Sequence, residues 1–138
     1  PHDAVKSFDL KTPSLKLRLE AMQQLAEKGH PLGIHLDPMI YGPQFQEHYT
    51  ELIDALFCAI KPHHLHYVSL GTVRFTKDVY RAVQQNYPTS AIHHQKFSPT
   101  FDQKLRYPKP LRFWMMGFVQ DLLLKHDLEK DKIYWCME

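Results

Sequence analysis

Two short apolar runs of strand character, residues 32–36 and 65–70, are separated by a stretch of helical periodicity, and this alternation constrains the fold more than any other feature of the sequence. A strand followed by a helix and then another strand packs most simply as parallel strands with the connecting helix on one face. The pattern extends in both directions. Thr12-Pro13 reads as a helix start, an N-cap hydroxyl followed by proline at the first helical position. Leu15, Leu19, Met22 and Leu25 then recur at helical spacing until Gly29. Residues 44–60 form a second helix with Phe45, Tyr49, Leu52, Ile53, Leu56 and Ile60 on one face. Thr76 caps a third helix running to about residue 86. A fourth spans residues 110–126, with Leu111, Trp114, Met115, Phe118, Leu122 and Leu123 on its apolar side, and a strand at 132–136 follows. The expected class is α/β with a mostly parallel sheet, in one domain covering residues 1–138.

In such folds chemistry gathers where strands end and loops begin. The relevant strand ends are His35-Leu36-Asp37-Pro38 and Ser69-Leu70-Gly71-Thr72-Val73-Arg74. His35 and Asp37 serve either a ligand or the fold, Asp37 by stabilising the turn before Pro38 and His35 as a satisfied polar group. Arg74 either grips a carboxylate or phosphate bidentately or pairs with a nearby acid.

Between the third and fourth helices lies a segment of different composition. Residues 92–112 hold five cations, three aromatic rings and three prolines, with Asp102 as their one acid. Its flanks, 92–97 and 104–107, are suited to pair as a hairpin around 98–103. Lys96, Lys104, Arg106, Lys109 and Arg112 are candidate phosphate contacts, and Tyr107 and Phe101 are candidates to stack on or wedge against a base. The alternative is a solvated hairpin whose rings pack on the neighbouring helix.

The net formal charge of +2 is too small to argue for nucleic acid by itself, so that argument rests on this local clustering. No apolar run approaches the ~20 residues of a membrane span. The two cysteines, Cys58 and Cys136, lie far apart without CxxC spacing, which points to a reduced, cytoplasmic setting and against a self-contained metal or cluster site. Ten histidines are many for this length, yet neither His63, His64 and His66 nor His93 and His94 has a carboxylate or cysteine at ligand spacing. They are read as polar residues at strand edges, and no metal is expected.

Several segments, in order along nearly the whole chain, resemble the spore photoproduct lyase family of radical S-adenosylmethionine proteins. They are Thr12-Pro13-Ser14-Leu15-x-x-Arg18-Leu19-Glu20-Ala21, Gly33-Ile34-His35-Leu36-Asp37-Pro38-Met39-Ile40-Tyr41 and Ser69-Leu70-Gly71-Thr72-Val73-Arg74-Phe75. Lys104-Leu105-Arg106-Tyr107-x-x-Pro110-Leu111-Arg112 and Tyr134-Trp135-Cys136-Met137-Glu138 complete the series. The resemblance implies the C-terminal part of a partial (β/α)6 TIM-type barrel with an added β-hairpin at about residues 92–107. In that family a CxxxCxxC loop holds a [4Fe-4S] cluster that cleaves S-adenosylmethionine, and the resulting radical starts reversal of a thymine–thymine photoproduct in DNA. A hairpin near the C-terminus inserts at the lesion.

The resemblance further implies UV-damaged DNA as partner, with Arg106 and Tyr107 on the lesion-facing hairpin, and His35, Asp37 and Arg74 near S-adenosylmethionine. CxxxCxxC does not occur among these residues, so neither cluster binding nor radical chemistry is expected of this chain alone. It is expected to work with an N-terminal half of the same protein and to self-associate through bare sheet edges without it. Two other functions fit the residues: a non-enzymatic nucleic-acid-binding module, and a small-molecule enzyme using His35 and Asp37 as an acid–base pair.

Overall fold

A computed structural model describes residues 14–86 and 95–136. Its elements are α1 (Leu15–Glu27), β1 (Leu32–Met39), α2 (Phe45–Ala59), β2 (Leu65–Thr72), β3 (Arg74–Thr76), α3 (Lys77–Asn86), β4 (Ser98–Pro99), β5 (Lys104–Arg106), α4 (Lys109–Lys125) and β6 (Ile133–Trp135). Short 3-10 turns at Pro62–His64 and Lys130–Lys132 lead into β2 and β6.

The strand–helix alternation becomes a three-stranded parallel sheet in the order β1-β2-β6. Leu32, Ile34 and Leu36 of β1, Val68 and Leu70 of β2, and Ile133 and Trp135 of β6 pack into the core with α1, α2 and α4. Ile53, Met115, Met116, Val119 and Leu123 are fully enclosed there. Removing such residues from water, at ~25 cal/mol per Å² of apolar surface, is the main force holding the helices to the sheet. The Trp135 indole adds a directional tie, donating to Gln120 Oε1 at 2.9 Å.

The helix ends follow local chemistry. Gly29 sits at φ +80°, its N–H donates to the Ala26 carbonyl, and the His30 N–H donates to that of Leu25, a Schellman stop. At the other end of α1 the cap is Ser14, whose hydroxyl accepts the Leu17 N–H at 3.3 Å. The start expected at Thr12-Pro13 lies outside the described residues, and the observed helix begins after Ser14. Within α1, Leu19 and Met22 pack partly buried against the core and Ala26 is buried, whereas Leu25, expected on the same face, is exposed. In α4, Trp114 stays half exposed and Arg112 is buried instead.

A second, antiparallel sheet was only half expected. The hairpin is present, but residues 98–99, assigned above to its loop, form the strand β4 against β5. The expected strand residues 92–94 lie outside the described residues. On the other side of β5 stands β3, pairing Arg74 with Arg106, Phe75 with Leu105 and Thr76 with Lys104. Three residues are too few to show strand periodicity, and β3 gains its identity only from its partner. Thr76 ends it and caps α3, its hydroxyl accepting the Val79 N–H at 3.2 Å. Among the described residues no helix is long and apolar enough to cross a membrane.

Candidate nucleic-acid interface and the adjoining strand ends

Thr100, Phe101, Asp102, Gln103 and Lys104 build the hairpin turn. Thr100 N–H donates to the Lys104 carbonyl, Gln103 N–H donates to that of Thr100, and Gln103 takes the left-handed conformation at φ 65°. This is a type I turn closed by a left-handed residue, a common three-residue hairpin connection. Side chains reinforce it. Arg106 holds the Asp102 carboxylate with two parallel bonds of 2.6 and 2.9 Å, and also donates to the Thr100 hydroxyl. Asp102 Oδ1 additionally accepts the Thr100 hydroxyl and the Lys104 N–H. The Arg106 guanidinium, followed by the Thr100 hydroxyl, holds the Asp102 carboxyl well below the usual carboxylate range. At the tip, Phe101 is 94% exposed.

Below the turn, four rings mount the hairpin. Phe97 stacks on Tyr107 at 4.9 Å and meets Phe75 and Tyr80 edge-on, each at distances below 6 Å. The buried Tyr107 hydroxyl accepts the Tyr41 N–H at 3.0 Å and donates to Gln95 Oε1. Gln95 Nε2 in turn donates to the Tyr41 carbonyl at 2.7 Å. A tyrosine and a glutamine thereby saturate the backbone just beyond β1. Burial pushes the Tyr107 phenol up to about 12, partly opposed by the bond from Tyr41.

The hairpin's cations divide into two groups. Lys96 and Lys109 are exposed and Lys104 is half-buried. Arg106 and Arg112 are buried at 2% and 9% exposure, and Arg112 Nη1 donates to the Tyr107 carbonyl. Three residues expected at a solvent-facing surface, Arg106, Tyr107 and Arg112, therefore contact protein in this structure. The reason is geometric: Arg106 points across the turn toward Asp102, and Tyr107 lies where the chain enters α4.

At the strand ends of the parallel sheet, alternation sends Gly33, His35 and Asp37 of β1 to the face away from α1, α2 and α4, beside Tyr67, Ser69 and Gly71 of β2 and Tyr134 of β6. Tyr67 leans over Gly33, and its hydroxyl meets His35 Nε2 at 2.9 Å. Tyr134 stands edge-on to it. Arg74 clasps Asp37 through bonds of 3.0 and 3.3 Å, so the nearby-acid alternative for Arg74 is what the structure contains. Asp37 fits only because Gly71 carries no side chain: a Cβ there would stand 2.8 Å from its carboxylate. The sheet and the hairpin sheet are thus joined twice at the end of β1, through Asp37–Arg74 and through Tyr41–Tyr107. Tyr67, Gln95, Thr100 and Tyr41 were not anticipated as partners, since nothing in their local pattern marks them.

A cluster or metal finds no donor set among the described residues. Cys58 lies exposed on α2 and Cys136 half-buried after β6, on separate elements. These residues do not fit a [4Fe-4S] cluster. The histidines at 63, 64 and 66 likewise form no metal site.

Comparison with known proteins agrees with this architecture. Two solved spore photoproduct lyases share the fold. One, a mutant with bound AdoMet and dinucleoside spore photoproduct, superposes with a TM-score of 0.72 at 21% identity, covering 91% of this chain and 38% of the other. A second mutant gives 0.69 at 20% identity. The spore photoproduct lyase of Bacillus subtilis (strain 168) is 30% identical over 90 residues, 64% of this chain and 26% of that protein. The spore photoproduct lyase family model matches residues 2–109. The chain belongs to the spore photoproduct lyase family, and it spans about a quarter of the length of that curated relative.

Proposed function

We propose that this chain is the DNA-holding portion of a spore photoproduct lyase-like radical S-adenosylmethionine enzyme, corresponding to the C-terminal part of its partial barrel. Family membership supports the class of reaction, repair of a DNA photoproduct. The observation that carries the DNA reading is the hairpin itself: a braced turn that presents an aromatic ring and lysines to solvent.

In this reading Lys96, Lys104 and Lys109 meet phosphates directly. Arg106, Tyr107 and Arg112 act from beneath, holding the turn and its root in one geometry. His35, Asp37 and Arg74 are the residues that would hold S-adenosylmethionine, on the face of the parallel sheet left open by the helices. The exposed His35 imidazole and the partly exposed Arg74 guanidinium suit a ligand with carboxylate and ribose oxygens. The cofactor supplies the radical chemistry of the family; the cluster that activates it has no ligands among the described residues. The remainder of the barrel is a further partner, and its activity belongs to the assembled protein.

A salt titration with duplex DNA tests the proposal. Affinity is expected to fall steeply with salt, and the Lys96→Ala/Lys104→Ala/Lys109→Ala variant is expected to show a slope shallower by roughly 2–3, near 0.9 per lost phosphate contact. Absence of binding at low salt, or an unchanged slope, would overturn it.

A further inference from the structure

We infer that the cleft where the parallel strands begin, lined by His30, His63, His64, His66 and Lys132, binds a small phosphate-bearing anion, and binds it more tightly as pH falls through the imidazole range. The cleft lies at the opposite end of the sheet from Asp37 and Arg74 and shares no residue with the hairpin, so it stands or falls apart from the DNA reading.

Three segments distant in sequence bring these groups together. His30 follows the Gly29 stop of α1, His63 and His64 belong to the 3-10 turn leading into β2, His66 is the second residue of β2, and Lys132 directly precedes β6. The cleft encloses about 500 Å³, an ordinary volume for a small-molecule site and more than one inorganic anion needs. Ala26, Pro31 and Leu65 give it apolar wall, which suits the carbon portion of a phosphate ester.

Its charge has one sign. Five basic side chains line it and no acid does. The acids of the adjoining segments, Glu27, Glu129 and Asp131, are exposed outside the lining, as are Lys28, Lys61 and Lys130. Among the described residues the imidazoles make no donor set for a metal, and a lining of this sign attracts an anion. The C-terminal carbonyls of α1 would oppose one, but they are already engaged: that of Gln24 accepts the Lys28 N–H, that of Leu25 the His30 N–H and that of Ala26 the Gly29 N–H.

The donors are of two kinds. His64 Nδ1 accepts the Lys61 N–H at 3.0 Å, which keeps the neutral ring's proton on Nε2, a donor on the side away from that bond. Lys132 adds a permanent cation. The ring nitrogens of His30, His63 and His66 make no hydrogen bond among the described residues, so they are open to take up a proton and meet a ligand oxygen together. Imidazole gains its charge just below neutrality, and a hydrogen bond between charged partners is the stronger kind. Affinity for a dianion therefore rises as pH falls.

Titration of the chain labelled with ¹⁵N-histidine, at constant ionic strength, tests the site. Inorganic pyrophosphate probes the ligand class; sulfate, whose own charge is constant between about pH 6 and pH 8, probes the pH dependence. At about pH 6, pyrophosphate is expected to shift a subset of imidazole signals saturably, among them those lost in His30→Gln, His63→Gln and His66→Gln. Sulfate is expected to bind about tenfold more weakly at about pH 8, the order of one charge-assisted hydrogen bond. The His30→Gln/His66→Gln/Lys132→Met variant alters exposed and half-buried groups, and its pyrophosphate affinity is expected to fall about tenfold or more while duplex affinity stays within about twofold. The Lys96→Ala/Lys104→Ala/Lys109→Ala variant is expected to bind pyrophosphate as the unaltered chain does. Shifts that grow without saturation, unchanged pyrophosphate affinity in the cleft variant, or equal sulfate affinity at both pH values overturns the inference. Saturable zinc binding at these imidazoles without pyrophosphate binding overturns it in favour of a metal site, and loss of duplex affinity in the cleft variant overturns it in favour of a wider DNA surface.

Discussion

The Tyr107 hydroxyl accepts the backbone N–H of Tyr41, 66 residues earlier, at 3.0 Å, and this bond joins the root of the hairpin to the end of β1. Tyr107→Phe keeps the ring stacked on Phe97 and removes only the oxygen. It leaves the Tyr41 N–H and Gln95 Oε1 without that partner, a loss expected to be about 1–2 kcal/mol by denaturant titration. The alkaline limb supplies a second readout. The folded-state phenol is raised above the ordinary value of 10.0 to about 12, so its contribution is complete below pH 10 and is lost as pH rises toward 12. Tyr107→Phe is expected to flatten that decline without abolishing it, because burial raises the Tyr49 phenol as well.

Acid reports on the turn. The Asp102 carboxyl is depressed in the folded state, so its stabilising contribution is present above its unfolded value near 3.9 and disappears as pH falls below that toward the lower folded value. Asp102→Asn is expected to be less stable than the unaltered chain at neutral pH, by a margin constant down to about pH 5 and narrowing below about pH 4. Thermal melts of both proteins from pH 2 to 7 measure it. A margin independent of pH throughout would show that the carboxylate charge plays no part.

The strand–helix order, the parallel sheet and the reach of α2 were readable because each rests on a long periodic signal: Phe45, Tyr49, Ile53 and Leu56 mark their helix face without reference to anything distant. The hairpin was readable as composition but misregistered. Ser98 and Pro99 look like turn residues, and only pairing with Leu105 and Arg106 makes them a strand. Arg106 reads in sequence as one more surface cation, and its burial depends on where Asp102 and Thr100 stand once the turn closes. The same limit hid Tyr67 and Gln95. Spacing along the chain reports which face a residue occupies, whereas a polar partner 32 or 54 residues away is fixed by the assembled sheet.

Gly33 is a glycine for steric reasons. A Cβ built there would lie 2.4 Å from the Tyr67 ring, closer than two carbons can approach. Gly33→Ala is therefore expected to push the ring off β1, break its bond to His35, and destabilise the protein by about 1–3 kcal/mol. Combining it with Tyr67→Ala removes the obstruction. The pair is expected to be strongly non-additive in a double-mutant cycle, the second change costing about 1 kcal/mol or more less in the presence of the first. Additive losses would mean the backbone absorbs the methyl elsewhere.

Arg106 and Lys96 differ in how they are expected to support DNA binding, although both are cations of one hairpin. Lys96 is exposed, so Lys96→Ala is expected to leave stability within about 0.5 kcal/mol while reducing the salt slope of duplex binding by roughly 0.9. Arg106 is 2% exposed and braces the turn through Asp102 and Thr100. Arg106→Ala leaves Asp102 and Thr100 without the guanidinium that braces the turn and is expected to be clearly more destabilising than Lys96→Ala. Its effect on binding follows from the loosened turn, so affinity is expected to fall at every salt concentration with the slope unchanged. Paired denaturation and salt-titration measurements on the two variants separate these roles: a shallower slope for Arg106→Ala at preserved stability would assign Arg106 to the phosphates and show that the side chain leaves Asp102 when DNA is bound.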